Sequence, residues 1–442
     1  MFSLGNACLV DAASDEKVSG NRLAVEVDAV ARALDAAPPG VVICPVVNEV
    51  AAIVRYLGAA RAGRPVLLCG PDSVAVPVRE LVGTFAPAAV LGAGARPPAG
   101  YAAESGAWVR RTPPEVLPHP DLGLLLATSG STGRPRLVRM SRASVAAITT
   151  SIRGALGIDG GGVAVTTMPP YYTFGLSVLH THLQAGGTVV VTRQGVLQAD
   201  FWRAVNRHGV TSIAGVPHTY ELLRRLPWHP ERSPTVRSLT VSGGRLPDDL
   251  ATRLHELTAG GLYVMYGQTE AGSRICVLPP GRLPEKLGSV GPPIPGVRLS
   301  VEAGEVVCHS PGVMMGYAET AADLARGDDL GGVLHTGDSG HLDADGHLWL
   351  HGRLSRIGKA FGVRANLDAV EHLAAPFAVA AAVPAGDRIR VVCETADRAV
   401  LAQVVAVVTG ALGLHRLGVR AEGIDRLPRR PNGKIDYHAL DG

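Results

Sequence analysis

Hydrophobic positions along the first 120 residues change period several times. Leu23, Val27, Val30 and Leu34 fall at helical spacing between Asn21 and Ala36, and Val41 to Val47 is a short apolar run that predicts a strand. Asn48 to Ala62 returns to the helical period, and Pro65 to Cys69 predicts another strand. Strands alternating with helices predict βαβ units and hence a parallel sheet. Leu122 to Ala127 reads as a buried strand that runs into a polar, glycine-rich stretch. Ser141 is placed to N-cap a helix carrying Val145, Ile148, Ile152 and Leu156 on one face. After the stretch MPPYYTFGL, Met168 to Leu176, a helical period continues to Gln184. A Gly186-Gly187 break and a strand, Thr188 to Thr192, follow. Three more short apolar runs predict strands, each ending in small or polar residues: Thr211 to Val216 before a Pro217 turn, Ser238 to Val241, and Leu262 to Met265. Near the end, Asp368 to Ala375 and Arg398 to Leu412 predict helices, and Ala378 to Val383 and Arg390 to Cys393 predict strands.

Composition narrows the picture. At 442 residues the chain is long enough for more than one domain and a large core. A net charge of +3, with no clustered basic run and 4% aromatic residues, speaks against a nucleic-acid surface. The six cysteines are scattered without a C-x-x-C pair, so neither a disulfide framework nor a zinc site is expected, and a reducing cytoplasm fits. The N-terminal residues lack the basic and apolar regions of a signal peptide, and no run of about eighteen uncharged apolar residues follows, so a soluble, non-membrane protein is expected. Arginine dominates the basic residues. The four lysines are Lys17, Lys286, Lys359 and Lys434, so a lysine inside a motif carries weight.

The stretch after the strand at Leu122 reads TSGSTGRPRLV from Thr128 to Val138. Gly130 and Gly133 permit close approach of a ligand, while Thr128, Ser129, Ser131 and Thr132 add hydroxyls beside bare backbone N–H groups. Such a loop suits phosphate oxygens, with Arg136 as the cation. It is not a Walker loop, because Arg134, Pro135 and Arg136 stand where that motif needs Lys followed by Ser or Thr. A plain Ser/Gly surface turn is the alternative. In Tyr266-Gly-Gln-Thr-Glu270 the tyrosine offers a flat face for a purine and Thr269 a hydroxyl for a phosphate. Glu270 is a hard carboxylate of the kind Mg²⁺ prefers. Asp338, in Thr336-Gly-Asp338, is placed on a tight turn to accept from ribose hydroxyls, or simply to cap that turn. Tyr171, Tyr172 and Phe174 read by themselves as core aromatics.

Taken together, these motifs resemble the adenylate-forming enzymes: acyl- and aryl-CoA synthetases, adenylation domains of peptide synthetases, and luciferases. TSGSTG-x-P-[KR]-x-V is similar to their ATP-binding loop, and Y-G-x-T-E is a second, independent match at the expected distance. Ser242-Gly-Gly-Arg-Leu-Pro247 resembles the adenine-side loop. Gly304-Glu-Val-Val and Ser310 to Tyr317 resemble a further signature, expected as strands of a small β region carrying little chemistry. Gly352-Arg-Leu-Ser-Arg356 resembles the hinge, although Ser355 takes a pivot position more often held by Asp or Lys. Gly358-Lys-Ala-Phe-Gly-Val-Arg364 resembles a hairpin with I-K-x-x-G-x-R, with Gly358 in place of the isoleucine. Lys434 fills the P-x-x-x-x-G-K-[IV] signature near the C-terminus.

The resemblance implies an α/β fold, with a large N-terminal domain of parallel αβ layers plus a small β region over residues 1–351. A hinge at 352–356 and a small mobile α+β lid over 357–442 would follow. It implies an enzyme that makes an acyl-adenylate from a small carboxylic acid and MgATP, releases pyrophosphate, and passes the acyl group to the thiol of coenzyme A or a carrier protein's phosphopantetheine. Nucleotide contacts are then expected from Thr128, Ser129, Gly130, Ser131, Thr132, Gly133, Gly243, Gly244, Arg245, Tyr266, Gly267, Gln268, Asp338 and Arg353. Catalytic roles are expected for Arg136, Thr269, Glu270, the Mg²⁺ ligand, and Lys434. Tyr172, Phe174, Gly175, Gly243 and Gly267 would line the acid pocket, and Lys359 and Gly362 the thiol tunnel. Gly175 stands where domains for α-amino acids usually carry aspartate, so an acid without an α-amino group is expected. An acceptor other than a thiol, such as an amine, and a non-catalytic adenylate-binding relative are the alternative readings.

Overall fold

The computed structural model describes residues 4–71, 77–94, 96–128, 136–226, 229–430 and 433–440, with Thr128 described by its backbone. Two compact units emerge. The first takes Met1–Leu287, Gly291–Arg298 and Cys308–Leu334, and the second Gly288–Val290, Leu299–Val307 and His335–Gly442. The second unit therefore starts ahead of the expected 352–356 boundary and takes in strands that the sequence reading gave to the N-terminal domain.

Among its described residues the first unit holds two eight-stranded sheets, one mixed with a parallel centre and one largely parallel. One runs in the order Gly316–Ala318, Arg136–Ser141, Leu122–Thr128, Val66–Cys69, Val42–Pro45, Ala89–Leu91, Ala107–Arg110, Tyr101–Glu104. The strands at 42, 66 and 122 are parallel and buried, as continuous Val/Ile/Leu runs require when helices cover both faces. The other sheet runs Cys276–Leu278, Leu262–Tyr266, Ser238–Val241, Ser212–Gly215, Val163–Val165, Thr188–Val191, Cys8–Asp11, Lys17–Ser19. Helices from the two sets of crossovers meet in the interior: Tyr56 on Val50–Arg61 lies 2.6 Å from His180 Nε2 on Thr173–Ala185. Helix Arg142–Leu156 packs on Thr173–Ala185, and Ile148, Ile152 and Phe174 share a core with Met265 and Val277.

In the second unit a three-stranded sheet, Ala380–Ala385, Arg388–Cys393 and Val419–Gly423, is covered by helices Leu367–Ala374 and Arg398–Leu412 around Val370, Val391, Val404 and Val408. The expected hairpin is present as Ile357–Ala360 paired with Val363–Asn366. Phe361 and Gly362, at φ 49° and 84°, form the two-residue turn whose positive φ values match the twist of the strands.

Two expectations about elements of the first unit fail. Pro217 does not make a turn; it opens helix Pro217–Arg224, a first position where its fixed φ and missing N–H cost nothing. Gly316–Ala318 does not join the small β region either. It pairs antiparallel with Arg136–Ser141 at the edge of the first large sheet, while Glu305–His309 does enter the small four-stranded sheet.

Candidate active site

Three parallel strands, Val163–Val165, Thr188–Val191 and Ser212–Gly215, set the site's position. The first pairs with both of the others, so the chain leaves it in opposite directions and opens a crevice at the strands' carboxyl ends, where ligands of α/β sheets bind. The segments that follow these strands and their neighbours are the motif segments: 166–172, Ser242 to Arg245, and Gly267 to Glu270.

The loop after Leu262–Tyr266 is rigid by construction. Ser273 N donates to Gln268 O at 2.9 Å, and Ile275 N to Tyr266 O at 2.7 Å, closing the segment on itself. A Cβ at Gly267 would lie 1.9 Å from the Ser273 carbonyl oxygen, so only glycine fits there. Thr269–Ala271 forms a single 3₁₀ turn. The Thr269 hydroxyl accepts from Thr173 at 2.9 Å, tying the loop to the start of helix Thr173–Ala185. Gln268 donates to the phenol of the buried Tyr266 at 3.2 Å.

Glu270 is half-buried and pinned twice. Its carbonyl accepts from Met314 N at 2.9 Å, and its Oε1 from the Tyr317 phenol at 2.9 Å. The Tyr317 ring in turn carries the Arg136 guanidinium 5.7 Å from its centroid, and Arg136 Nε lies 3.0 Å from Glu319. That pair is exposed and contributes no more than about 1 kcal/mol, so an incoming phosphate can displace it. Tyr317 is the contact of Glu270 that sequence reading missed. It lies 47 positions from Glu270, and only the strand pairing of Gly316–Ala318 brings it there.

Other expected residues have plainer surroundings. Gly244 sits 3.3 Å, measured from its ideal Cβ, from the Pro217 ring, and Gly243 has φ 89°. Arg245 is held by Asp248 at 3.1 Å. Tyr172 and Phe174 belong to the core beside Met265, and burial raises the Tyr172 phenol above its usual range. Gly175 is closed to any side chain, since a Cβ would meet the Pro169 and Met168 carbonyl oxygens at 2.6 and 2.7 Å. Ser129, Gly130, Ser131, Thr132 and Gly133 lie outside the described residues, as does the Thr128 side chain. The strands flanking them are in register, Thr128 opposite Arg136.

In the second unit Asp338 is not on the expected tight turn but within strand Val333–Leu342, where pairing with Leu348–Arg353 sets it opposite Arg353, 3.2 Å away and buried. The flanks of the exposed Ser355 are fastened within this unit: Arg353 N donates to Asp368 at 2.6 Å, and Arg356 pairs with Glu371 at 2.8 Å beneath the Tyr437 ring. Lys359 is exposed opposite Arg364, with Gly362 in the turn. Lys434 is exposed at the end of a turn in which its carbonyl accepts from Arg430 N at 2.8 Å.

Comparison with known proteins gives a consistent picture. Residues 4–318 match the family model described as AMP-binding enzyme. The chain is 30% identical over 260 residues to an oxalate–CoA ligase of Arabidopsis thaliana, covering 55% of this chain and 50% of that protein. It is 30% identical over 354 residues to an L-proline–[L-prolyl-carrier protein] ligase of Streptomyces coelicolor, covering 72% and 66%. The chain thus spans about half the length of several curated relatives it matches. Among solved structures it superposes on ATP-bound MatB from Rhodopseudomonas palustris with TM-score 0.78 at 22% identity, covering 100% of this chain and 96% of that one. It also superposes on the amide bond synthetase McbA from Marinactinospora thermotolerans with TM-score 0.76 at 24% identity, covering 99% and 96%. These likenesses establish the fold, and the family match extends over well more than half of the sequence: the chain belongs to the AMP-binding enzymes of the adenylate-forming superfamily.

Proposed function

We propose that the protein is an acid-activating ligase that joins a carboxylic acid to the α-phosphate of ATP, releases pyrophosphate, and transfers the acyl group to a thiol. The observation that carries this reading is the linkage of Arg136, Tyr317 and Glu270, which ties the strand after the Ser/Gly loop to the Y-G-x-T-E loop. A half-buried carboxylate oriented by a phenol, beside the Thr269 hydroxyl, has the donor chemistry of a Mg²⁺ ligand. Bound there, the ion would supply Lewis-acid stabilisation of phosphate charge. Residues 128–136 then hold the β- and γ-phosphates, Tyr266 and the 243–245 segment the adenine side, and the Asp338–Arg353 pair the ribose. Lys434 meets the negative charge that develops in the first step. Catalysis of that step is positioning and charge stabilisation, as in other transfers at phosphorus.

For the acceptor we favour coenzyme A or a carrier-protein phosphopantetheine arm, reached by the hairpin of Lys359 and Gly362 after a swing about Ser355. Two named relatives, ligases to CoA and to a carrier protein, support a thiol. The test is to measure pyrophosphate release from MgATP with a panel of acids, then to add CoA, a phosphopantetheinylated carrier protein, or an amine and follow product. Acid-dependent pyrophosphate release with thioester formation is the expected outcome. Release with an amide and no thioester would move the acceptor to an amine, and no acid-dependent release would remove the reading.

A further inference from the structure

The strands Val333–Leu342 and Leu348–Arg353 are joined by a short loop, Asp343-Ala-Asp-Gly-His347. Main-chain bonds close it: Asp343 N donates to His347 O at 3.0 Å and Gly346 N to Asp343 O at 2.9 Å, with Gly346 at φ 76° making the turn. The Asp343 carboxylate braces the loop from within. Its Oδ1 accepts from the backbone N–H of Asp345 at 3.0 Å and of His347 at 2.9 Å, and its Oδ2 from the Trp349 indole at 3.0 Å.

A braced turn accounts for Asp343 but not for His347. This histidine is 6% exposed, and neither of its ring nitrogens has a hydrogen-bond partner among the described residues. A buried donor and a buried acceptor left unanswered both carry a desolvation cost. Nδ1 stops 3.8 Å from Asp343 Oδ1, too far for a hydrogen bond. Yet one ligand atom from each of Asp343, Asp345 and His347 lies within 4.8 Å of the other two. Two atoms bonded to one ion at about 2.0–2.2 Å stand about 3–4 Å apart, so a spacing too wide for hydrogen bonding suits ligands arranged around a cation.

We propose that Asp343, Asp345 and His347 form a binding site for a divalent transition-metal ion of the zinc type. An imidazole beside two carboxylates selects such an ion over Mg²⁺ or Ca²⁺, which take oxygen ligands. The site uses no cysteine, so the scatter of the six cysteines does not bear on it. His347 gives a ring nitrogen, and Asp343 an oxygen whose direction its N–H donors already fix, as partners behind a metal ligand do. The exposed Asp345 closes the set from the solvent side, where water completes the coordination. Asp338 and Arg353 lie on the same two strands, roughly 15 Å back from the loop. The ion therefore braces the hairpin that presents that pair.

The experiment titrates the metal-free full chain with Zn²⁺ against a chromophoric chelator, with Mg²⁺ and Ca²⁺ as comparison ions. It uses the parent, His347→Leu, Asp345→Asn and His351→Ala. The last breaks an exposed imidazole pair, His341 Nδ1 and His351 Nε2 at 2.9 Å, which is the rival place for zinc on these strands. The parent should bind one Zn²⁺ per chain at the loop and melt several degrees higher with it, as binding to the folded state requires. Mg²⁺ and Ca²⁺ at equal concentration should do neither. His347→Leu and Asp345→Asn should each weaken Zn²⁺ binding by at least about 100-fold and remove the melting shift, since losing a ligand costs more than losing a group behind one. His351→Ala should bind as the parent does. No bound Zn²⁺ in the parent, or parental affinity in either loop variant, would overturn the proposal. Binding lost in His351→Ala alone would overturn it and place the ion on the imidazole pair, and equal affinity for Mg²⁺ or Ca²⁺ would overturn the ion class. Should His347→Leu fail to fold, Asp345→Asn decides by itself, because its side chain is exposed. Every readout is binding or melting, so the outcome does not depend on whether the chain activates an acid.

Discussion

Glu270 and Tyr317 show how a single phenol can prepare a carboxylate for a cation. The hydrogen bond at 2.9 Å fixes one oxygen and the rotamer, so that binding a metal costs little further ordering. Glu270→Gln keeps the shape and removes the charge, and it should cut acid-dependent pyrophosphate release by about a thousandfold or more, as expected when several kcal/mol of electrostatic stabilisation are lost. Tyr317→Phe removes only the orienting bond, worth about 1.5–3 kcal/mol for a charged acceptor, so release should fall about 10- to 100-fold and the Mg²⁺ requirement should shift upward. Parent-level activity and an unchanged Mg²⁺ requirement in Tyr317→Phe would show that Tyr317 has no orienting role. His180 supplies a test at the same scale that involves stability alone. Burial lowers its pKa to about 3, so the folded state holds it neutral while the unfolded chain takes up a proton near pH 6.5. The unfolded state therefore binds more protons between those values, and stability falls as pH drops through that window. From pH 7 to pH 5 the loss from this group should be about 2 kcal/mol, read from urea midpoints, and His180→Asn should flatten that part of the profile.

At the scale of elements, the 267–273 loop carries the prediction. With the Ser273 carbonyl 1.9 Å from where a Cβ would stand, Gly267→Ala must push apart a segment closed by its own backbone bonds. Overpacking of this kind should destabilise the first unit by about 3 kcal/mol and displace Glu270, so melting temperature and pyrophosphate release should fall together. The same loop shows what a sequence can and cannot disclose. The helix from Arg142 and its Ser141 cap were legible, because the hydroxyl bonds its own chain three residues on, to Ser144 N at 2.9 Å. Helix Arg398–Leu412 and strand Ser238–Val241 were readable to the residue for the same reason, local period and composition. The motifs also disclosed Thr269, Glu270, Asp338 and Arg353 as candidates. What stayed hidden depends on pairing between distant segments: the edge strand Gly316–Ala318, and with it Tyr317 on Glu270, and the burial of Arg274 against Phe174. An arginine looks the same in sequence whether it ends at the surface or beside Phe174, so its burial is a property of the fold alone.

At the scale of the whole molecule, the residues assigned to the two half-reactions divide between the compact units. Arg136, Thr269 and Glu270 belong to the first, and Asp338, Arg353, Lys359 and Lys434 to the second. If the proposed reading is right, Lys434 serves adenylation alone: a compact ammonium meets the charge developing between the acid and the α-phosphate and is withdrawn when the thiol step begins. Lys434→Ala should then lower acid-dependent pyrophosphate release by several hundredfold or more, the scale of removing one electrostatic donor from a transition state. Transfer from a supplied acyl-adenylate to CoA or a carrier protein should stay near the parent rate, because that step draws on the hairpin of Lys359. Lys359→Ala should show the reverse pattern. Lys434→Arg keeps the charge but spreads it over a planar fork, so it should rescue poorly. The exposed position of Lys434 on its turn makes a folding defect an unsuitable explanation for such a split, and melting curves of both variants should match the parent. Loss of both half-reactions together in Lys434→Ala, with an unchanged melting curve, would withdraw the assignment of separate lysines to separate steps.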